Sequence, residues 1–563
     1  MNTHRRLGLA IVPLLGLYLL LIGANGVAED SDASFSGSEA LSGIDAFSGK
    51  DAAVASGPNS ARRGRKVFRF ATFGNEGYWT DAIKLQQGFV SNEVTPLDAL
   101  RLGLSVDSKA LDAATLSQIT KDLKADPSAK TSALLNDPAT TVKLVNADAI
   151  IGLSPKDSNG DGNIDIANGD KTGATCALCH TITDRSVFSV RKGGSIGRRL
   201  DGRAPHTLKF GALVALGENS RAFYPELQLA LDANGGATLG RSPTGLTENS
   251  TEAEVDAYLN DPNFYPSGMF DDTVDGNGDP MHNMPLFEQD LAFPFGSDGA
   301  IGRLENFSNL VYTALLDPTT LTTPGGRAFL KKLGGDAAGD EIADDFLKVL
   351  AATGVSGPFP FLDAAPPPDP AVVGTEPFPV GLRVDNTMLL DMNEFLFRLK
   401  APRGAKGDKG AISRGRQLFR TAGCTDCHNV DQRNSVPSFI VPMKTIFPGD
   451  DPVVLLAERM PPLNPILDTP GNIFNNPINI FDDKMAVVNA SLRGDVRGTG
   501  LPLLLDLARK PVFLHDNSVP SLASLFNPDR GATAPHPFFL RDPVARADMV
   551  RFLRSLDTAR RRK

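Results

Sequence analysis

The sequence predicts a mainly α-helical fold, with two helical domains, long loops and little β-sheet. Three observations carry that expectation. Apolar residues return at helical spacing in "NTMLLDMNEFLFRL" (386–399) and in "ARADMVRFLRSLDTA" (545–559), where Met549, Phe552, Leu553 and Leu556 share one face. Strand-like patterning is sparse and is clearest in "KVFRFATF" (66–73). A proline-dense stretch, "GPFPFLDAAPPPDPAVVGTEPFPVG" (357–381), cannot keep regular secondary structure for long. It sets a linker at 357–383 between a domain at 62–356 and another at 384–563.

With 563 residues, 41% hydrophobic and 22% charged, the chain has apolar side chains enough for two or more cores. A formal net charge of −9 repels phosphate backbones and anionic lipid, so nucleic-acid binding is not expected. Arg5 and Arg6, the apolar run from Leu7 to Ile22 and the small residues Gly26 and Ala28 make residues 1–28 an export signal. The apolar run is shorter than the ~20 residues a spanning helix needs. The mature protein is therefore expected in the periplasm or secreted, with no membrane span after cleavage. Residues 29–61, rich in Ser, Gly, Ala and Asp, read as a flexible leader.

Helical patches follow at "DALRLGL" (98–104) and "ATLSQITKDLKA" (114–125). "DSNGDGNID" (157–165) places Asp157, Asn159, Asp161 and Asp165 around Gly162, the front half of a calcium loop built from hard oxygen ligands. Asn168 stands where such a loop has its bidentate acid, which leaves a polar glycine-rich loop as the other reading. "DGNGD" (275–279) is a shorter run of the same kind. The segment 313–354 reads as two helices broken at Pro324-Gly325-Gly326, and "AISRGRQLFRTAGCTDCH" (411–428) opens the second domain on a helix.

All four cysteines lie in two units, "CALCH" (176–180) and "CTDCH" (424–428). Exported proteins pair cysteines as disulfides, but a disulfide does not account for the histidine after each pair. A four-cysteine zinc site would leave both histidines idle. Covalent haem uses every residue of the unit: two thiols on one helical turn bond to the macrocycle and the adjacent imidazole turns to the iron. Cys176, Cys179, Cys424 and Cys427 are thus the expected attachment sites of two haems c, with His180 and His428 as proximal ligands. His4 leaves with the signal, so His206, His282, His515 and His536 remain as second axial ligands, beside methionines such as Met281, Met284, Met443 and Met460.

"ARKPVFLHDNSVPSLASLFNPDRG" (508–531) and "HPFFLRDPVARADMVRFLRSL" (536–556) resemble the C-terminal end of bacterial dihaem cytochrome c peroxidases and their relatives, which include the dihaem rubber oxygenases. "GGSIGRRLDGRAPHTLKFGALVA" (193–215) and "FGSDGAIGRLENFSNLVY" (295–312) are similar to the family's haem-edge and distal-roof segments. The resemblance implies that His536 is the second ligand of the C-terminal haem and that His515 holds a propionate or the backbone near it. It also implies that Phe307 stands where the peroxidases carry a proton-handling glutamine, with Glu305 as the nearby acid. Phenylalanine moves no proton, which suits dioxygen and a hydrophobic substrate better than peroxide. Ser297 replaces the family's tryptophan, and Trp79 is the chain's sole tryptophan. Three readings stay open: activation of dioxygen on a hydrophobic substrate, reduction of hydrogen peroxide, and electron transfer to a redox partner protein without catalysis.

Overall fold

The structure is a computed structural model and describes residues 57–238, 240–292, 295–296, 301–436, 440–442, 498–514, 517, 519–531, 534, 536 and 538–559. The expected export signal at 1–28, most of the expected leader, Ser297, Met443, Met460 and His515 lie outside the described residues. The described chain is mainly helical, and its β-structure is confined to small sheets of two or three short strands. No described helix is long and apolar enough to cross a membrane.

The stretch read as strand-like is helical. Pro58–Phe70 is one helix, begun by proline in its first turn, and it buries Ser60, Gly64, Val67 and Phe68 at intervals of three and four residues. Apolar residues that alternate locally thus belong to one helical face once a partner covers it. The partner is the helix Asn386–Arg398, whose Asp391 accepts from Ser60 Oγ at 2.5 Å and from Arg63 Nε at 2.5 Å. The backbones approach so closely that a Cβ on Gly64 would stand 1.8 Å from the Asp391 carbonyl oxygen. The last four residues assigned to the leader, 58–61, are part of this helix.

That contact also relocates the change of core. Leu389, Met392, Phe395 and Leu396, beyond the proline-dense stretch, pack into the same hydrophobic core as Val67, Leu178 and Phe346. A separate, smaller core begins at Phe419 and includes Phe513, Val519, Leu522, Met549 and Phe552. Packing therefore changes between about Leu399 and Phe419, not at 357–383 where proline density suggested. Proline density marks where regular structure stops; burial decides which core the next helix joins.

The smaller core is framed by the helices Lys409–Thr421 and Pro543–Arg554. They cross tightly at Gly415, where a Cβ would stand 2.1 Å from the Asp548 carbonyl oxygen, and Phe419 meets Phe552 edge-on at 5.4 Å. In 313–354, Pro324-Gly325-Gly326 opens the helix Pro324–Gly334, and the break falls at Gly335, before the helix Asp336–Ala352. Proline lacks only an amide that the first helical turn leaves unbonded in any case.

Candidate haem sites

The first motif is set into the larger core. The strand Leu153–Lys156 pairs antiparallel with Lys171–Ala174, which delivers the chain to the short helix Ala177–His180. Thr175 N–H donates to Gly152 O at 3.0 Å, and a Cβ on Gly152 would stand 2.2 Å from Leu178 Cα, so this turn lies flat on its support. Immediately after His180, Thr181–Thr183 pairs antiparallel with Arg199–Asp201.

His180 is oriented as a ligand should be. Its Nδ1 lies 2.8 Å from the Met284 carbonyl oxygen, which can only accept, so Nδ1 carries the proton and Nε2 keeps its lone pair. Burial pushes the imidazole down to about 4, which keeps it in the neutral, metal-binding form. Cys176 Sγ is 3.2 Å from the Tyr312 hydroxyl and 3.9 Å from Met392 Sδ. Burial pushes Cys176 up to about 11 and Cys179 up to about 12, the latter with help from Cys176 and Glu226. Glu226 itself is 1% exposed, and neither carboxyl oxygen has a hydrogen-bond partner among the described residues. Burial, then Asp271 and Asp272, raises it well above the usual carboxylate range.

The second motif is built on the smaller core. Helix Lys409–Thr421 ends at Gly423 in the left-handed region (φ 77°), and Cys424–Asp426 forms a single tight turn. His428 N–H donates to Cys424 O at 2.9 Å. The His428 and His536 rings stand with centroids 6.5 Å apart and planes at 49°. Two metal–imidazole bonds of about 2.0 Å and two ring radii of about 1.2 Å place centroids about 6.4 Å apart across one metal. Burial pushes His428 down to about 4 and His536 to about 3, with His428 and Arg530 adding to the latter. His536 takes a left-handed backbone (φ 54°), uncommon for a side-chain-bearing residue, and is flanked by Phe538 at 4.9 Å and Phe526 at 6.4 Å. A cavity of about 360 Å³ opens beside Cys424, lined mainly by Phe526, Phe538, Phe539, Leu540 and Met549. Thiols, a facing imidazole pair and an apolar cavity are what a covalently held haem requires here. All four cysteines are free thiols.

The expected roof residues lie on the helix Leu304–Leu310. Phe307 is half-buried on a helix whose other residues are buried. Glu305 accepts from Arg303 Nε at 2.5 Å and from Asn393 Nδ2 at 2.8 Å, which ties the roof helix to Asn386–Arg398. The chain continues into a wide π-helical turn, Val311–Leu315, and it is Tyr312 in this turn that reaches Cys176. Trp79 is a core residue: its Nε1–H donates to Leu316 O at 3.1 Å, closing off the same turn, and its ring meets Tyr78 and Phe210.

The candidate calcium residues do not converge. Asp157 accepts from the amides of Gly160 and Gly162, Asn159 from Asp161, Asp161 from Asn163, and Asp165 from Ala167. Each side chain caps its own turn. Asp170, which the motif does not include, gathers the loop by accepting from Ser158, Asn159 and Asp165. Among the described residues no group of three or more His, Cys, Asp or Glu is arranged to hold a metal ion, so calcium has no support at 157–165 or at 275–279. Of the remaining histidines, His282 Nε2 lies 2.9 Å from Lys510 Nζ, and His206 Nδ1 is buried without a partner among the described residues.

No family model and no curated protein matches the sequence. A match among solved structures is Kuenenia stuttgartiensis hydrazine synthase, in a form pressurised with xenon, at 14% identity over 50% of this chain and 74% of that one, with a TM-score of 0.23. A score this low defines no common fold. The class rests on the motifs: two Cys-x-x-Cys-His units consistent with two covalent haems c, on a mainly helical chain.

Proposed function

We propose that the chain is an exported dihaem c-type oxidoreductase whose two haems do different work. The observation that carries this reading is an asymmetry. His428 is faced by the His536 ring at 6.5 Å, whereas His180 is held by a backbone carbonyl, that of Met284, at 2.8 Å. When bound, haem iron supplies one-electron exchange and, where a coordination position is free, binding of a small oxidant.

The residues around each motif then have separate tasks. His428 and His536 would hold the C-terminal haem iron between them, which would suit storage and transfer of electrons. His180, held in one tautomer by the Met284 carbonyl, would be the ligand to the N-terminal haem iron. Phe307 puts an apolar side chain on the roof helix, and Glu305 has its oxygens taken up by Arg303 and Asn393, so it fixes the roof rather than donating a proton. A phenylalanine at position 307, which moves no proton, favours dioxygen and a hydrophobic substrate over hydrogen peroxide. The runner-up is a dihaem peroxidase with Glu226, a buried acid near Cys179, as its proton source. The signal at 1–28 supports action in the periplasm or outside the cell.

Optical spectra of the purified protein, oxidised, reduced and with carbon monoxide, test the asymmetry. One low-spin haem and one that takes up carbon monoxide are expected. Two low-spin haems that both refuse carbon monoxide would leave an electron carrier. Rapid peroxide turnover with a reduced cytochrome donor would replace the oxygenase reading with the peroxidase one.

A further inference from the structure

A group of cations gathers where the chain beyond the second motif meets the first haem site. Lys510 Nζ lies 2.9 Å from His282 Nε2 and 5.8 Å from the centre of the Phe513 ring. Among the described residues no carboxylate is bonded to it. Burial alone pushes the ammonium down to about 8. Arg203 is half-buried and makes no hydrogen bond or ion pair among the described residues. Arg509 stands close by and pairs with Asp506, the one acid that Arg203 feels. His206, on the Arg203 loop, is held neutral by burial and then by Lys510. Arg203 and Arg509 thus share the one carboxylate of Asp506, and Lys510 is bonded to none among the described residues, a balance that an anion would correct.

The backbone fixes this cluster against the first motif. The ladder that pairs Thr181 with Asp201 sets Gly202 level with His180 and Arg203 just beyond. Leu286 N–H donates to Gly202 O at 2.9 Å, two residues after Met284, whose carbonyl holds His180. His282 precedes Met284 on the same run. The two segments that bracket His180 therefore carry Arg203 and His282, and His282 holds Lys510.

We propose that Lys510 and Arg203 bind the propionate carboxylates of the haem attached at Cys176 and Cys179, with His282 orienting the lysine. A residue from beyond the second motif then completes the first haem site. This rests on the reading of 176–180 as a haem-attachment unit. Arginine offers a fork of donors and lysine a point charge to the carboxylates.

Carbodiimide treatment of the native holoprotein, which joins an amine to a carboxylate in contact with it, tests the assignment. Proteolysis and mass spectrometry should recover the Lys510 peptide amide-linked to the haem peptide containing Cys176 and Cys179, and K510R should abolish that product while keeping both haems. Lys510 recovered unlinked, joined to a carboxylate of the chain, or joined to the Cys424–Cys427 haem peptide would overturn the proposal. Redox titration gives a second readout: K510M or R203Q should lower the midpoint potential of one haem and leave the other unchanged, because a cation beside a propionate favours the ferrous state. If both variants keep both potentials, the assignment is wrong. Pyridine haemochrome counting separates the underlying reading, since a native protein with no haem on 176–180 would remove the site itself.

Discussion

The two motifs carry the same five-residue pattern but sit in unlike surroundings. "CALCH" lies in the larger core, with Cys176 held between Tyr312 and Met392 and His180 braced by Met284. "CTDCH" lies on the smaller core, beside an apolar cavity and opposite His536. The comparison teaches that the motif decides only where a haem is attached. The surroundings of each unit come from elsewhere in the chain: a facing imidazole in one case, a buried tyrosine and a methionine in the other.

The largest expected effect breaks the comparison at its strongest point. His536→Ala removes the imidazole facing His428, so the C-terminal haem should lose its low-spin signature and begin to take up carbon monoxide, while both haems stay attached. Haem counting together with carbon monoxide difference spectra measures this. A variant whose spectrum matches the native protein would place the second ligand elsewhere, and the two sites would no longer differ in the way argued.

A smaller effect uses the two tight helix crossings. Gly64→Ala would force a Cβ against the Asp391 carbonyl in the larger core, and Gly415→Ala would do the same against Asp548 in the smaller one. Overpacking of this kind costs about 1–3 kcal/mol, and each helix must shift to relieve it. If the cores are energetically separate, G415A should lower the denaturant midpoint read at a haem on 424–428 and G64A the midpoint read at a haem on 176–180. A single transition moved equally by both substitutions would show that the cores unfold as one.

These differences were unevenly legible in the sequence. The two Cys-x-x-Cys-His units were legible as short local patterns, while His536, far along the chain from His428, could be named only through resemblance, and the structure sets the two rings 6.5 Å apart. The residues that define the first site could not be named. Tyr312, Met392 and Met284 reach Cys176 and His180 across 136, 216 and 104 residues of chain, and no spacing in the sequence links them to the first unit. "KVFRFATF" looked strand-like because its apolar residues alternate, and only the helix covering it shows which face is buried. The acidic loop at 157–165 favours the second of its two readings, the polar glycine-rich loop. Asp and Asn at calcium-loop spacing are also the residues that cap consecutive turns, and the backbone amides took the oxygens first.

The smallest effect sharpens the account of the first site. The Tyr312 hydroxyl lies 3.2 Å from both Ala71 O and Cys176 Sγ, fully buried, with its ring edge-on to Phe73 at 4.5 Å. Tyr312→Phe keeps the ring contact and removes the hydroxyl, which leaves the Ala71 carbonyl without that donor at a cost of about 1 kcal/mol. Denaturant unfolding should show that loss at the N-terminal haem alone. Because the hydroxyl also touches the sulfur that bonds to the macrocycle, the absorption or potential of that haem should move while the His428–His536 haem stays as it was. A stability loss with no change at either haem would reduce Tyr312 to a core residue, and the link between the roof helix and the first haem would then have to run through Phe307.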